Sequence, residues 1–269
     1  MEKSMIVDSH CHAGESWYEP IETLLSQMDS NGVNKAVLIG HFGAYENNEY
    51  LISCKHRFPD RFAVVIIPDL RNQKLVSTLP NWIQKGADGI RLKPTMDIND
   101  KHSLSIWKTA SDLGLVVSSL GKIDEFVHEK FISTLSEFPN LKIVLEHLAG
   151  AIFNTENNTE TSVKEFENII KLSKYPNVFI KIPGLGELMQ KPDVLSRKPA
   201  FSLNHPLLKM TLDAFGSDRM MWGSDFPPVS FREGYRNSLN EIKDNPLFNQ
   251  EDSDFIMGKT AYNVFFGED

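Results

Sequence analysis

Apolar residues along the chain gather in eight short, nearly unbroken runs: Ser4–Ser9, Lys35–Gly40, Phe62–Pro68, Ala87–Lys93, Leu115–Ser119, Leu141–Glu146, Asn177–Lys181 and Arg219–Gly223. Their cores (AVLI, AVVII, KIVLE, VFIKI) are rich in β-branched residues. A strand with one wet face alternates in polarity, whereas a continuous apolar run suits a strand covered on both faces, as in a parallel sheet. Between the runs the period lengthens. Glu19–Ser30 carries Ile21, Leu24, Leu25 and Met28 at helical spacing and stops before Asn31-Gly32. Helices are likewise expected over Asn47–Phe58, Asp124–Phe138, Ser162–Lys174 and Leu203–Phe215, each ending at or just before a Pro or Gly. The strand-to-strand step is roughly 30 residues, the size of one βα unit. Eight units predict an α/β fold, a TIM (β/α)8 barrel with parallel strands inside and helices outside, formed by residues 1–269 as one domain. The alternative is an open doubly wound sheet, but no GxGxxG or Walker-type loop follows the first run.

Composition narrows the partners more than the fold. The 269 residues include 28 Lys and Arg against 36 Asp and Glu, a net charge of −8, with 41% apolar and 24% charged residues. That balance excludes global disorder. Negative charge without a basic cluster excludes nucleic acid as the main partner. No run approaches the roughly 20 apolar residues that span a bilayer. The N-terminus lacks the apolar core of a secretory signal, so the cytoplasm is the expected compartment. Cys11 and Cys54 have no zinc-type spacing and cannot form a disulfide framework.

Candidate chemistry lies at the ends of the runs, where a barrel builds its active site. The first ends Asp8-Ser9-His10-Cys11-His12. Strand alternation would aim Asp8, His10 and His12 the same way, and two adjacent imidazoles can chelate a metal ion. The alternative is one core histidine and one loop cap. The sixth run leads into His147 before a Gly turn, and the eighth into Asp225 within GSDFPP. Asp225 could ligate a metal or take a proton from water, or merely form a turn. Strands one and eight are neighbours in a closed barrel, so His10, His12, His147 and Asp225 can converge. Arg91 and Lys93 share a face of strand four. Either could hold a substrate carboxylate or carbonyl oxygen, or be neutralised by an inward carboxylate such as Asp8. His41, in the loop after strand two, is either a substrate contact or a solvated residue. His56, His102 and His128 fall in helices or caps, and His205 precedes Pro206 at a helix start. The stretch 183–205 is long enough to be a lid or an oligomer contact. Trp17, Phe42, Phe153, Phe226 and Phe231 suit a partly apolar or ring-shaped substrate.

The motifs DSHCH, EHLAG and MMWGSDFPP resemble those of the amidohydrolase superfamily. VLIGHFGAYENNEYL, GADGIRLKP, PNVFIKIPGLGE and GKTAYNVFFG extend the likeness over nearly the whole chain, to the branch that includes lactonases and decarboxylases. The resemblance implies metal binding by the two strand-one histidines and Asp225, and activation of water by Asp225. Many members also have a metal-binding histidine at the end of strand five; Val116-Val117-Ser118-Ser119 has none. The expectation is therefore one divalent ion, zinc or manganese, on His10, His12, Asp225 and His147, with a metal-free site as the alternative. A carbamylated Lys93 is not expected. Lys181 resembles a lysine common in this branch, and a structural ion pair is its expected role. The implied reaction is hydrolysis of a carbonyl or lactone carbon in a small-molecule substrate. A non-oxidative decarboxylase and a silent metabolite-binding barrel are the alternatives, and a homo-oligomer is left open.

Overall fold

The computed structural model describes residues 4–69, 71–72, 74–95, 103–152, 161–193 and 201–267. Eight strands form one parallel sheet in chain order: β1 (Val7–Cys11), β2 (Lys35–Ile39), β3 (Phe62–Ile66), β4 (Gly89–Leu92), β5 (Val116–Ser119), β6 (Ile143–Leu145), β7 (Val178–Ile182) and β8 (Met220–Trp222). Each coincides with an apolar run. The sheet closes through the segment after β8. Asp225 N–H donates to His10 O at 2.8 Å, and His12 N–H donates to Phe226 O at 2.8 Å. The molecule is thus a TIM barrel.

Two apolar layers account for the continuous runs. Inside, Val7, Val37, Ile39, Ala63, Val65, Val116, Val144 and Met221 pack on Ala261, Val264 and Phe265 of the C-terminal helix Thr260–Phe265, which plugs one end. Outside, strand residues such as Leu38, Val64, Ile143 and Trp222 join the helix residues Leu24, Leu51, Phe131 and Phe166 in a larger core. Each large apolar side chain so buried contributes about 1.5–3 kcal/mol.

Helices form at Ile21–Asn31, Asn47–Arg57, Val163–Ile170 and Pro206–Phe215, as the periodicity predicts. The expected helix Asp124–Phe138 is broken into Ile123–Phe126 and Glu129–Glu137, with His128 capping the second through Lys130 N–H. His205 caps Pro206–Phe215 in the same way. Helices Leu75–Lys85 and Ser103–Asp112 lay outside the pattern's reach, the first because Pro80 interrupts it. No described helix is long and apolar enough to cross a membrane.

β1 departs from expectation in a way that shapes the site. It begins later than the apolar run, and its register against β2 shifts between Asp8 and Cys11. Such a bulge places one extra residue on the inner side. Val7 is inside, and His10 and Ser9 both press on the Cβ position of Gly223, where a methyl would sit 2.6 Å from His10 Cβ. Asp8 does not share the face of the histidines. Its carboxylate accepts from the Ser224 hydroxyl (2.6 Å), the Ser224 N–H (2.9 Å) and the Tyr235 hydroxyl (2.9 Å).

Candidate active site

His10, His12, His147 and Asp225 do converge at the C-terminal mouth. His10 Nε2 lies 3.9 Å and His12 Nε2 3.5 Å from Asp225 Oδ1. One nitrogen each of His10 and His147 and one Asp225 oxygen fall within 4.8 Å of one another. His10 and His12 are almost wholly buried. Asp225 sits at φ 56°, and His147, Leu148 and Ala149 at φ 50°, 49° and 56° before Gly150. Left-handed non-glycine residues of this kind cost on the order of 1–3 kcal/mol each and persist where surrounding structure holds them. Here those turns deliver an imidazole and a carboxylate to one point.

The charges around Asp225 keep it ionised. Burial alone would raise its pKa, but the His12 hydrogen bond and the charges of His147 and Arg232 outweigh that and lower it. Arg232 donates through both terminal nitrogens to Asp225 Oδ2, at 3.3 Å each. The same guanidinium reaches Glu187 Oε2 at 3.2 Å, and Glu187 Oε1 holds His147 Nδ1 at 2.6 Å. Burial presses His147 towards neutrality, yet the Glu187 carboxylate wins and lifts its pKa to about 9. His10 moves the other way. Burial, then Lys181, His147, His12 and Arg91, hold it far below the ordinary histidine value, as a neutral ring.

Under the histidines lies a buried polar layer that replaces the apolar filling. Arg91 grips Glu146 with three hydrogen bonds of 2.7–3.1 Å and donates to Gly40 O at 3.0 Å. Its neutralising carboxylate is therefore Glu146, since Asp8 has been turned outward by the bulge. Burial opposes the Glu146 charge, but Arg91 and Lys181 overcome it and take the pKa down to about 2. The Ser118 hydroxyl donates to Glu146 Oε1 at 2.6 Å. Lys181, 2% exposed, contacts Ser118 Oγ at 2.9 Å and His10 Nδ1 at 3.2 Å. Burial lowers its pKa to about 8 despite the opposing pull of Glu146.

The donor set fits a divalent ion. His10 Nε2 is buried with no hydrogen-bond partner. His12 Nδ1 lies 2.7 Å from Ile39 O; a carbonyl only accepts, so Nδ1 carries a proton and Nε2 is the nitrogen turned to Asp225. Imidazole nitrogens beside a carboxylate are zinc-type ligands.

A cavity of about 400 Å³ adjoins this point, lined among others by Lys93, Leu120, Lys122, His147, Ile152 and Glu187. Lys93 is exposed, with its ammonium 5.5 Å from the Phe42 ring centre. His41 is half-buried, 6.3 Å from His12 between ring centres, and Tyr18 stacks on His12 at 4.9 Å. Trp17 and Phe231 are exposed, Phe226 is buried, and His102 and Phe153 lie outside the described residues. Of the stretch 183–205, residues 194–200 also lie outside them, and the helix Leu185–Leu188 carries Glu187 to His147. A larger groove, about 680 Å³, runs past Ser4, Asn34, Arg61 and Asp254, remote from every imidazole of the site.

Sequence reasoning did not single out Glu187, Arg232, Tyr18, Ser118 or the pairing of Glu146. Glu187 and Arg232 follow the ends of β7 and β8, and charged residues just past a barrel strand were the signal available.

A family model described as amidohydrolase matches residues 7–266. L-fucono-1,5-lactonase of Burkholderia ambifaria is 24% identical over 215 residues, spanning 78% of this chain and 69% of that enzyme. 4-Sulfomuconolactone hydrolase of Hydrogenophaga intermedia is 22% identical over 218 residues, spanning 77% of this chain and 65% of that enzyme. The alignments thus cover about two thirds of each lactone hydrolase. An amidohydrolase from Burkholderia multivorans, crystallised with HEPES, superposes at a TM-score of 0.79 and 18% identity over 98% of this chain and 100% of the other. A second crystal form of it, with zinc bound, gives 0.78 and 17% over 98% and 100%.

Proposed function

Because the chain belongs to the amidohydrolase family, we propose that it is a hydrolase that opens a small lactone bearing an anionic group, with Asp225 as the base. The observation that carries this reading is the state of Asp225: a buried carboxylate kept ionised, with Oδ2 tied to Arg232 and Oδ1 turned to His10 and His12. An ionised carboxylate in that position takes a proton from water as its oxygen attacks the lactone carbonyl carbon. The carbonyl oxygen gains the electron pair, the ring C–O bond then breaks, and Asp225 returns the proton to the departing ring oxygen. The product is a hydroxy acid.

In the metal-free site the oxyanion needs donors: His147, whose Nδ1 is engaged by Glu187, has Nε2 left for this task, and His10 Nε2 is unpartnered. Zinc or manganese, held by His10, His12, His147 and Asp225, would supply Lewis-acid polarisation when bound. Lys93 and Lys122 on the cavity wall suit an anionic substituent, while Arg91 is already committed to Glu146 and Gly40. Both curated relatives act on lactones, one of them carrying a sulfo group.

The test is a panel of aldonolactones and of carboxylated or sulfonated lactones, followed by acid release in a weakly buffered indicator. Ring opening should free one proton per turnover, and Asp225→Asn should lower kcat by about 10²–10⁴ with little change in KM. Release of carbon dioxide instead of an opened ring, or near wild-type turnover by Asp225→Asn, would overturn the reading.

A further inference from the structure

Asp225 is placed by three consecutive backbone N–H groups, and two of the three depend on a carboxylate that lies outside the site. Asp225 N–H donates to His10 O at 2.8 Å. Ser224 N–H donates to Asp8 Oδ1 at 2.9 Å, and Phe226 N–H donates to Ser224 Oγ at 3.0 Å. Ser224 Oγ is itself held 2.6 Å from Asp8 Oδ2. Asp8 Oδ1 also takes the N–H of His10, at 3.2 Å. One fully buried carboxylate thus bolts the backbone of β1 at His10 to the turn that carries Asp225 at φ 56°. A left-handed residue of this kind keeps its place only while its neighbours hold it.

The group that holds Asp8 comes from outside the barrel. The hydroxyl of Tyr235, the first residue of helix Tyr235–Lys243, lies 2.9 Å from Asp8 Oδ2. The buried Tyr235 ring stands edge-on to Trp222 and Phe226, with centres 5.9 and 6.0 Å away, so it packs against both ends of the turn. The same helix holds Trp222 Nε1 through Ser238 Oγ at 3.2 Å. Ring packing fixes where the phenol stands. The hydroxyl adds direction, because it narrows Asp8 to settings in which Oδ2 meets both Tyr235 and Ser224.

We propose that Tyr235 is a positioning residue whose hydroxyl, through Asp8 and Ser224, aims the Asp225 carboxylate at His10 and His12. Without that hydroxyl, Asp8 keeps its backbone donors but loses one of two anchors on Oδ2, and the 224–226 turn gains freedom to rotate. Asp225 Oδ1 then leaves its setting 3.5 Å from His12 and 3.9 Å from His10. A misplacement of about 1 Å can cost a factor of about 10² in rate. The effect on turnover rests on the reading of Asp225 as the base; the effect on its position does not.

Tyr235→Phe keeps the ring and removes the hydroxyl. The decisive measurement is its crystal structure beside that of wild type, both metal-stripped. The Asp225 carboxylate should be displaced by at least about 0.5 Å, the tolerance of a productive site, or divided between two conformers. An Asp225 that superposes on wild type in one conformer overturns the proposal without reference to activity. On a lactone that wild type opens, kcat should fall about tenfold with KM unchanged. Phe166→Leu, in the outer core, should lose comparable Tm and leave kcat unchanged. An equal fall of kcat in both variants means that stability is being read, not aim, and overturns the proposal. A displaced Asp225 with kcat unchanged supports the proposal and overturns Asp225 as the base. If Tyr235→Phe does not fold, Ser224→Ala, which removes the other hydroxyl on Asp8 Oδ2, is read in its place.

Discussion

Glu187→Gln perturbs the link between three strands, and its effect follows from one ion pair. Glu187 Oε1 lies 2.6 Å from His147 Nδ1, with side chains only 9% and 15% exposed, so solvent screens the pair little. His147 is lifted from an ordinary 6.5 to about 9. A raised histidine pKa contributes stability that is fully present below the unfolded value and is lost as pH climbs through the folded one. The difference of about 2.5 units corresponds to about 3 kcal/mol at most. The window is therefore pH 6.5 to 9, with loss on the alkaline side. Glutamine keeps the shape and removes the charge. Urea denaturation of wild type and Glu187→Gln at pH 6 and pH 10 isolates the pair, since other titrating groups cancel between the two proteins. The destabilisation by Glu187→Gln should shrink by up to about 3 kcal/mol from the lower to the higher pH, Asp225 and Glu146 supplying the rest of the lift on His147. A residual penalty at pH 10 is expected, because Arg232 also leans on Glu187. A difference independent of pH would refute the assignment of a charged His147 held by Glu187.

Two further outcomes follow from the geometry. Gly150→Ala should lower stability by about 2–4 kcal/mol, a fall of roughly 5–10 °C in Tm by calorimetry. Its Cβ would lie 2.3 Å from Gly121 O at φ +78°, and a Tm within about a degree of wild type would show that this turn can move. Lys93→Met should raise KM for an anionic lactone about tenfold with kcat unchanged, read from steady-state kinetics; a fall in kcat alone would remove Lys93 from substrate binding.

The strands were legible because each is covered on both faces, which leaves a continuous apolar run that no helix period reproduces. The polar layer was legible in principle as well. Val116 and Val144 are inner-face residues, so Ser118 and Glu146, two positions on, share that face by the pleat. Parallel register does the rest: Arg91 pairs beside Ser118, and Val144 beside Phe179, which carries Glu146 and Lys181 one step further up adjacent strands. A sequence reading that asked which polar residues continue an inward apolar alternation would have found the Arg91–Glu146 pair and Lys181 together.

Asp8 shows where alternation fails. Counting by twos from His10 places it inside, yet the bulge between Asp8 and Cys11 inserts one residue and reverses the sense of everything before it. Nothing local to Val7–Cys11 announces the insertion. Its support comes from the far end of the chain: Ser224 and Tyr235 satisfy the outward carboxylate, and Gly223 leaves the space that His10 occupies. The residues that stabilise the bulge flank the residue that completes the site, Asp225, whose N–H closes the barrel on His10 O. The geometry between His10 and Asp225 and the closure of the barrel are thus one structural event. A change at Gly223 or Ser224 would disturb the reacting centre while touching none of the atoms that react.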